Sequence, residues 1–130
     1  MASSEPEFIK PISVIVLHQA ILEDYGGKDG IRDINLLESA VAQAKNVYYY
    51  EKADIFEIAA NYAYHLCNNH PFHDGNKRTA YYTMKNFLGL NGYEITGKLE
   101  ERKNLILNIE NGAMSKKDLA NWLENNTKKL

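Results

Sequence analysis

One hundred and thirty residues, 45% of them apolar and 25% charged, are one domain's worth of ordinary globular chain and exclude a disordered polymer. Seventeen acidic against fifteen basic side chains leave a net charge of −2, so no bulk basic field exists to bind nucleic acid through its phosphates. The longest apolar stretch, Val14-Ile15-Val16-Leu17, falls far short of a membrane span, the opening residues lack a signal-peptide pattern, and the single Cys67 can form no internal disulfide.

These limits predict a soluble, cytoplasmic domain over 1–130, with neither a membrane nor direct nucleic-acid binding, and with 1–11 poorly ordered or extended. Ser13 is placed to cap a first helix to Tyr25, which carries Val14, Leu17, Ile21 and Tyr25 on one face and stops at Gly26-Gly27. Asn35 to Glu38 reads as a capping box for a second helix to about Ala44. Val47-Tyr48-Tyr49-Tyr50 favours a short extended piece by its β-branched and aromatic content. Asp54 to Glu57 caps a third helix to about Asn68, and a fourth runs from about Asn76 to Leu90, ending at Asn91-Gly92. Tyr93-Glu94-Ile95 is a second extended candidate; Lys98 to Glu110 gives a fifth helix, and Ser115 caps a sixth. The fold expected is all-α.

Chemistry concentrates between the third and fourth helices. His70-Pro71-Phe72-His73-Asp74-Gly75-Asn76-Lys77-Arg78 sets two imidazoles, a carboxylate, an amide and two cations around a turn. Lys77 and Arg78 open a helix at the end where cations are disfavoured. An anion resolves the conflict: unpaired N–H groups at a helix start cradle phosphate, and Gly75 lets the backbone come close. Asp74 beside phosphates calls for a bridging Mg²⁺. His70 is suited to take a proton from a hydroxyl. Together these are the parts of phosphoryl or nucleotidyl transfer.

Residues 70–80 closely resemble the Fic/Doc signature H-x-F-x-[DE]-[GA]-N-[GK]-R. Tyr25-Gly26-Gly27, Gly30-Ile31-Arg32-Asp33, Leu36-Leu37-Glu38-Ser39-Ala40 and Asn91-Gly92-Tyr93 extend the likeness to the Doc (death-on-curing) branch. The resemblance implies a compact bundle of about six helices with a short flap before the third helix. It also implies transfer of the γ-phosphate of ATP to a Ser/Thr hydroxyl, because Lys77 stands where adenylylating Fic enzymes have Gly and Tyr81 where they have a second Arg. Gly75, often Ala in Doc proteins, leaves AMP transfer as the alternative, and a catalytically silent binding module as another. Under the resemblance His70 is the base and Asp74 holds Mg²⁺; Gly75, Asn76, Lys77 and Arg78 hold phosphates, and Phe72 anchors the loop. The target-docking flap corresponds to Lys45–Lys52, with Val47, Tyr48, Tyr49 and Tyr50. The partners implied are translation elongation factor Tu as target and a cognate antitoxin acting in trans. Ser3–Glu7 and Thr96–Glu100 fit the inhibitory pattern [ST]-x-x-x-E-[GN] poorly. A metal hydrolase built on His65, Cys67, His70, His73 and Asp74 is the weaker rival, since His65 and Cys67 point to different helix faces.

Overall fold

The computed structural model describes residues 5–130. Its elements follow in the order α1 (Pro11–Tyr25), α2 (Ile34–Glu51), α3 (Ile55–Asn69), α4 (Asn76–Leu90), β1 (Tyr93–Ile95), α5 (Leu99–Glu110), α6 (Lys116–Asn125) and β2 (Thr127–Lys129). Helix α3 is the central post. Ile58, Ala59, Ala60, Tyr62, Ala63, Leu66 and Cys67 are buried around it rather than along one stripe, as a helix enclosed by others requires. α2, α4, α5 and α6 pack against it, while α1 packs on α4 and α2. Reciprocal capping boxes open α3 (Asp54 with Glu57) and α6 (Ser115 with Asp118), as the sequence predicts.

The all-α expectation holds, and β1 forms where an extended piece was expected. Its partner β2 was not foreseen: Thr127-Lys128-Lys129 carries no strand pattern and pairs antiparallel, Tyr93 opposite Lys129 and Ile95 opposite Thr127, with Lys128 Nζ 3.8 Å from Glu94 Oε1 across the ladder. Three further expectations are corrected. α1 starts at Pro11 with Lys10 as an N-cap lacking a side-chain bond, so Ser13 lies inside the first turn; Pro11 needs no partner for an N–H it does not have. On its inner face His18, not Leu17, is the buried residue beside Val14 and Ile21, and Tyr25 is exposed. α2 is capped by Asp33, whose carboxylate accepts the N–H groups of Asn35 (2.9 Å) and Leu36 (3.2 Å).

The third correction concerns the flap. Val47, Tyr48, Tyr49 and Tyr50 are not extended but form the last turns of α2, which ends at Lys52 in the left-handed conformation. Leu37, Ala40, Val41 and Ala44 are buried and Val47 and Tyr48 half-buried, one continuous helical stripe onto the core. Packing therefore overrides the local preference for strand. Residues 5–10 lie along this end of the bundle, with Phe8 edge-on to Tyr48 and the Ile9 N–H donating to the Tyr62 hydroxyl at 3.0 Å. Ser3 and Ser4 of the poorly fitting inhibitory pattern lie outside the described residues. Glu100, from the other, is exposed in the first turn of α5.

Candidate active site

His70 follows α3 directly and ends it in the left-handed conformation, φ 48° and ψ 57°. The loop then dives inward: Phe72 is 1% exposed and its ring stacks on His18 of α1 at 3.7 Å between centroids. Asn76 is buried and closes the loop on itself. Its side-chain oxygen accepts the Phe72 N–H (3.0 Å) and its amide donates to the Phe72 carbonyl (2.9 Å). Those two bonds fix the amide orientation, so it is Nδ2 that faces His70 Nδ1, at a long 3.4 Å.

Gly75 turns the chain into α4 at φ 79°, where a side chain would be strained. No side chain caps α4, so its first N–H groups remain available to an anion. Asp74 is exposed; its Oδ2 accepts the Lys28 N–H at 2.7 Å, and its carbonyl accepts His18 Nε2 at 2.7 Å. Lys77 and Arg78 point outward from the first turn of α4. The Arg78 guanidinium lies over the Tyr25 ring at 4.0 Å. Lys77 Nζ meets Glu110 Oε1 at 3.2 Å, and the other oxygen of that carboxylate is 4.0 Å from His70 Nε2.

His70, Asp74, Gly75, Asn76, Lys77 and Arg78 thus share one loop and helix start, with different partners. Asn76 spends its amide on Phe72, whereas Lys77 and Arg78 both line a cavity of about 640 Å³ between α4 and α5, together with Tyr81, Lys85, Arg102 and Lys103. His73 is exposed next to Gly30, while Thr79 and Ala80 are buried helix-packing positions. Val47 to Tyr50 instead belong to the end of α2, where Tyr48 and Tyr49 pack beside Phe8. The extended chain beside the motif is the α1–α2 connection, where Ile31 bridges Phe72 and the Gly30 carbonyl accepts the His73 N–H at 3.2 Å.

The other histidine and the thiol of the region are structural. His65 faces Lys116 on α6, and burial with that cation pushes its pKa down to about 4. Burial raises the Cys67 thiol to about 11, which makes it a poor nucleophile. Among the described residues no three His, Cys, Asp or Glu side chains converge on a possible metal position. Asp74, whose carboxylate is exposed, is the residue that would hold a magnesium ion here, where the metal would supply charge neutralisation.

Three participants escaped the sequence reading: His18, Arg32 and Glu110. His18 left a trace as a polar residue on the Val14–Ile21 stripe. Glu110 left one as a carboxylate in the last turn of α5, the end where a negative charge is disfavoured.

Among known proteins, the chain matches the Fic/DOC family over residues 8–88. It is 33% identical over 116 residues to "Protein kinase doc" of Escherichia phage P1, covering 88% of this chain and 91% of that one. It is 35% identical over 78 residues to "Toxin Doc" of Mycolicibacterium smegmatis, covering 58% and 60%. The motif geometry and these likenesses agree: the chain belongs to the Fic/DOC family, in its Doc branch.

Proposed function

We propose that this protein is a Doc-type toxin that transfers the γ-phosphate of ATP to a Ser/Thr hydroxyl of elongation factor Tu in the cytoplasm, stopping translation, and that a cognate antitoxin restrains it in trans. One observation carries the reading. The Glu110 carboxylate spans the gap between Lys77 Nζ (3.2 Å) and His70 Nε2 (4.0 Å), so an anionic group already sits between the cation and the base. A terminal phosphate arriving there displaces Glu110 and inherits Lys77.

In the step that follows, the hydroxyl oxygen forms a bond to the γ-phosphorus and the bond to the β–γ bridging oxygen breaks, so that ADP leaves. His70 takes the hydroxyl proton on its imidazole, at whichever ring nitrogen carries the free lone pair. Lys77 and the free N–H groups of α4 stabilise charge on the phosphoryl oxygens. Magnesium held by Asp74 would supply further charge neutralisation along the triphosphate.

The test incubates the protein and a bacterial lysate with ATP labelled at either the α- or the γ-phosphate. The expected result is γ-label on a protein of elongation-factor size, lost with His70→Ala. Transfer of α-label instead would mean adenylylation, the alternative that Gly75 keeps open. Transfer of neither label by the wild type would mean a silent binding module.

A further inference from the structure

The base of this site is poorly fixed by its own side chain. The polar partners of the His70 ring are Asn76 Nδ2 at 3.4 Å and Glu110 at 4.0 Å, both long contacts that hold it only loosely. Its aim is therefore set by the backbone, and that backbone is unusual. Among the described residues only Lys52 and His70 are non-glycine positions with positive φ, a conformation that persists only where neighbours enforce it.

The enforcement comes from the α1–α2 connection. Arg32 Nε donates to the His70 carbonyl at 2.7 Å and Arg32 Nη2 to the Asn69 carbonyl at 2.9 Å. The backbone N–H groups of Arg32 and Asp33 both donate to the Pro71 carbonyl, at 2.7 and 3.0 Å. The Asn69 and His70 carbonyls are thereby gripped by one fork and the Pro71 carbonyl by the backbone of Arg32 and Asp33, and the fork is cationic where the end of α3 favours a cation. Arg32 is otherwise exposed and belongs to no core cluster. The other end of the motif has separate holders, since Asp74 is tied to His18 and to the Lys28 N–H.

We propose that Arg32 is a positioning residue for phosphoryl transfer: it locks the His70 backbone in the left-handed turn that aims the imidazole, and leaves the phosphate cradle to other residues. The inference rests on the transferase reading above. Because the two clamps are separate, loss of Arg32 acts on the chemical step and spares nucleotide binding.

The experiment compares wild type, Arg32→Ala and Arg32→Lys as full chains. Arg32→Ala lowers the transfer rate at saturating ATP by about 10- to 100-fold, the penalty of a misaimed base, while the KM for ATP stays within about twofold. Arg32→Lys recovers part of the rate, because an ammonium reaches one carbonyl but cannot form the fork. In ¹H–¹³C spectra of histidine-labelled protein, the His70 ring shows one environment in wild type and additional ones in Arg32→Ala. An unchanged rate, a rate and an ATP affinity that fall together, or an unmoved ring signal would each overturn the proposal. Should Arg32→Ala not fold, Arg32→Lys decides alone: a lower rate at constant KM supports the assignment and wild-type behaviour refutes it. A wild type that transfers no label defeats the proposed function instead, and the ring spectra then judge Arg32 by themselves.

Discussion

Lys77 is held by the Glu110 carboxylate, which a phosphate would have to displace under the proposed function. Both partners of the Lys77–Glu110 pair are partly exposed, at 47% and 38%, so the pair is worth only about 0.2–1 kcal/mol. That is small enough for a triphosphate to break and large enough to measure. Glu110→Gln removes the competing charge while keeping the shape, and should tighten ATP binding by up to about fivefold. The gain should shrink at high salt, because exposed charges are screened. Titration calorimetry with Mg·ATP at two ionic strengths reads both effects. Equal or weaker binding in Glu110→Gln would mean that the carboxylate is no rival of the phosphate.

The elements around the site are fixed by signals of unequal visibility. Gly97, between β1 and α5, packs so closely beneath Trp122 of α6 that a Cβ there would overlap the indole ring. Gly97→Ala should therefore displace α6 and destabilise the fold by about 1–3 kcal/mol. Trp122 is the only tryptophan, so a red shift of its fluorescence together with a lower urea midpoint reports that displacement; an unshifted spectrum would show that the turn yields instead. α4 was readable to the residue because Gly75 and Asn91-Gly92 punctuate both ends, and α3 because Asp54 and Glu57 declare its start. The end of α2 was not, because Val47 to Tyr50 prefer strand locally and become helical only against Phe8 and the core. The same division runs through the site. Its local part, His70 to Arg78, was plain from chemistry packed into nine positions. His18, Arg32 and Glu110 arrive from α1, the α1–α2 connection and α5, and only folding brings them to the motif.

The molecule as a whole depends on how α3 is clasped, since α3 carries His70 at its end and packs against four other helices. Its contact with α6 contains a titrating group. His65 Nε2 lies 3.4 Å from Lys116 Nζ, and burial with that cation pushes its pKa down to about 4, from an ordinary 6.5. Above pH 6.5 the imidazole is neutral in both folded and unfolded chains and costs nothing. Between pH 6.5 and 4 the unfolded chain binds a proton that the folded chain refuses, so stability falls as the pH falls; below about 4 the penalty is complete. The urea midpoint should therefore drop between pH 7 and pH 5, a range above most carboxylate titration. His65→Gln, which cannot take up that proton, should flatten the drop whatever it does to stability at pH 7. Urea titrations of both proteins at the two pH values provide the check. An equally steep loss in His65→Gln would place the acid-sensitive contact somewhere other than between α3 and α6.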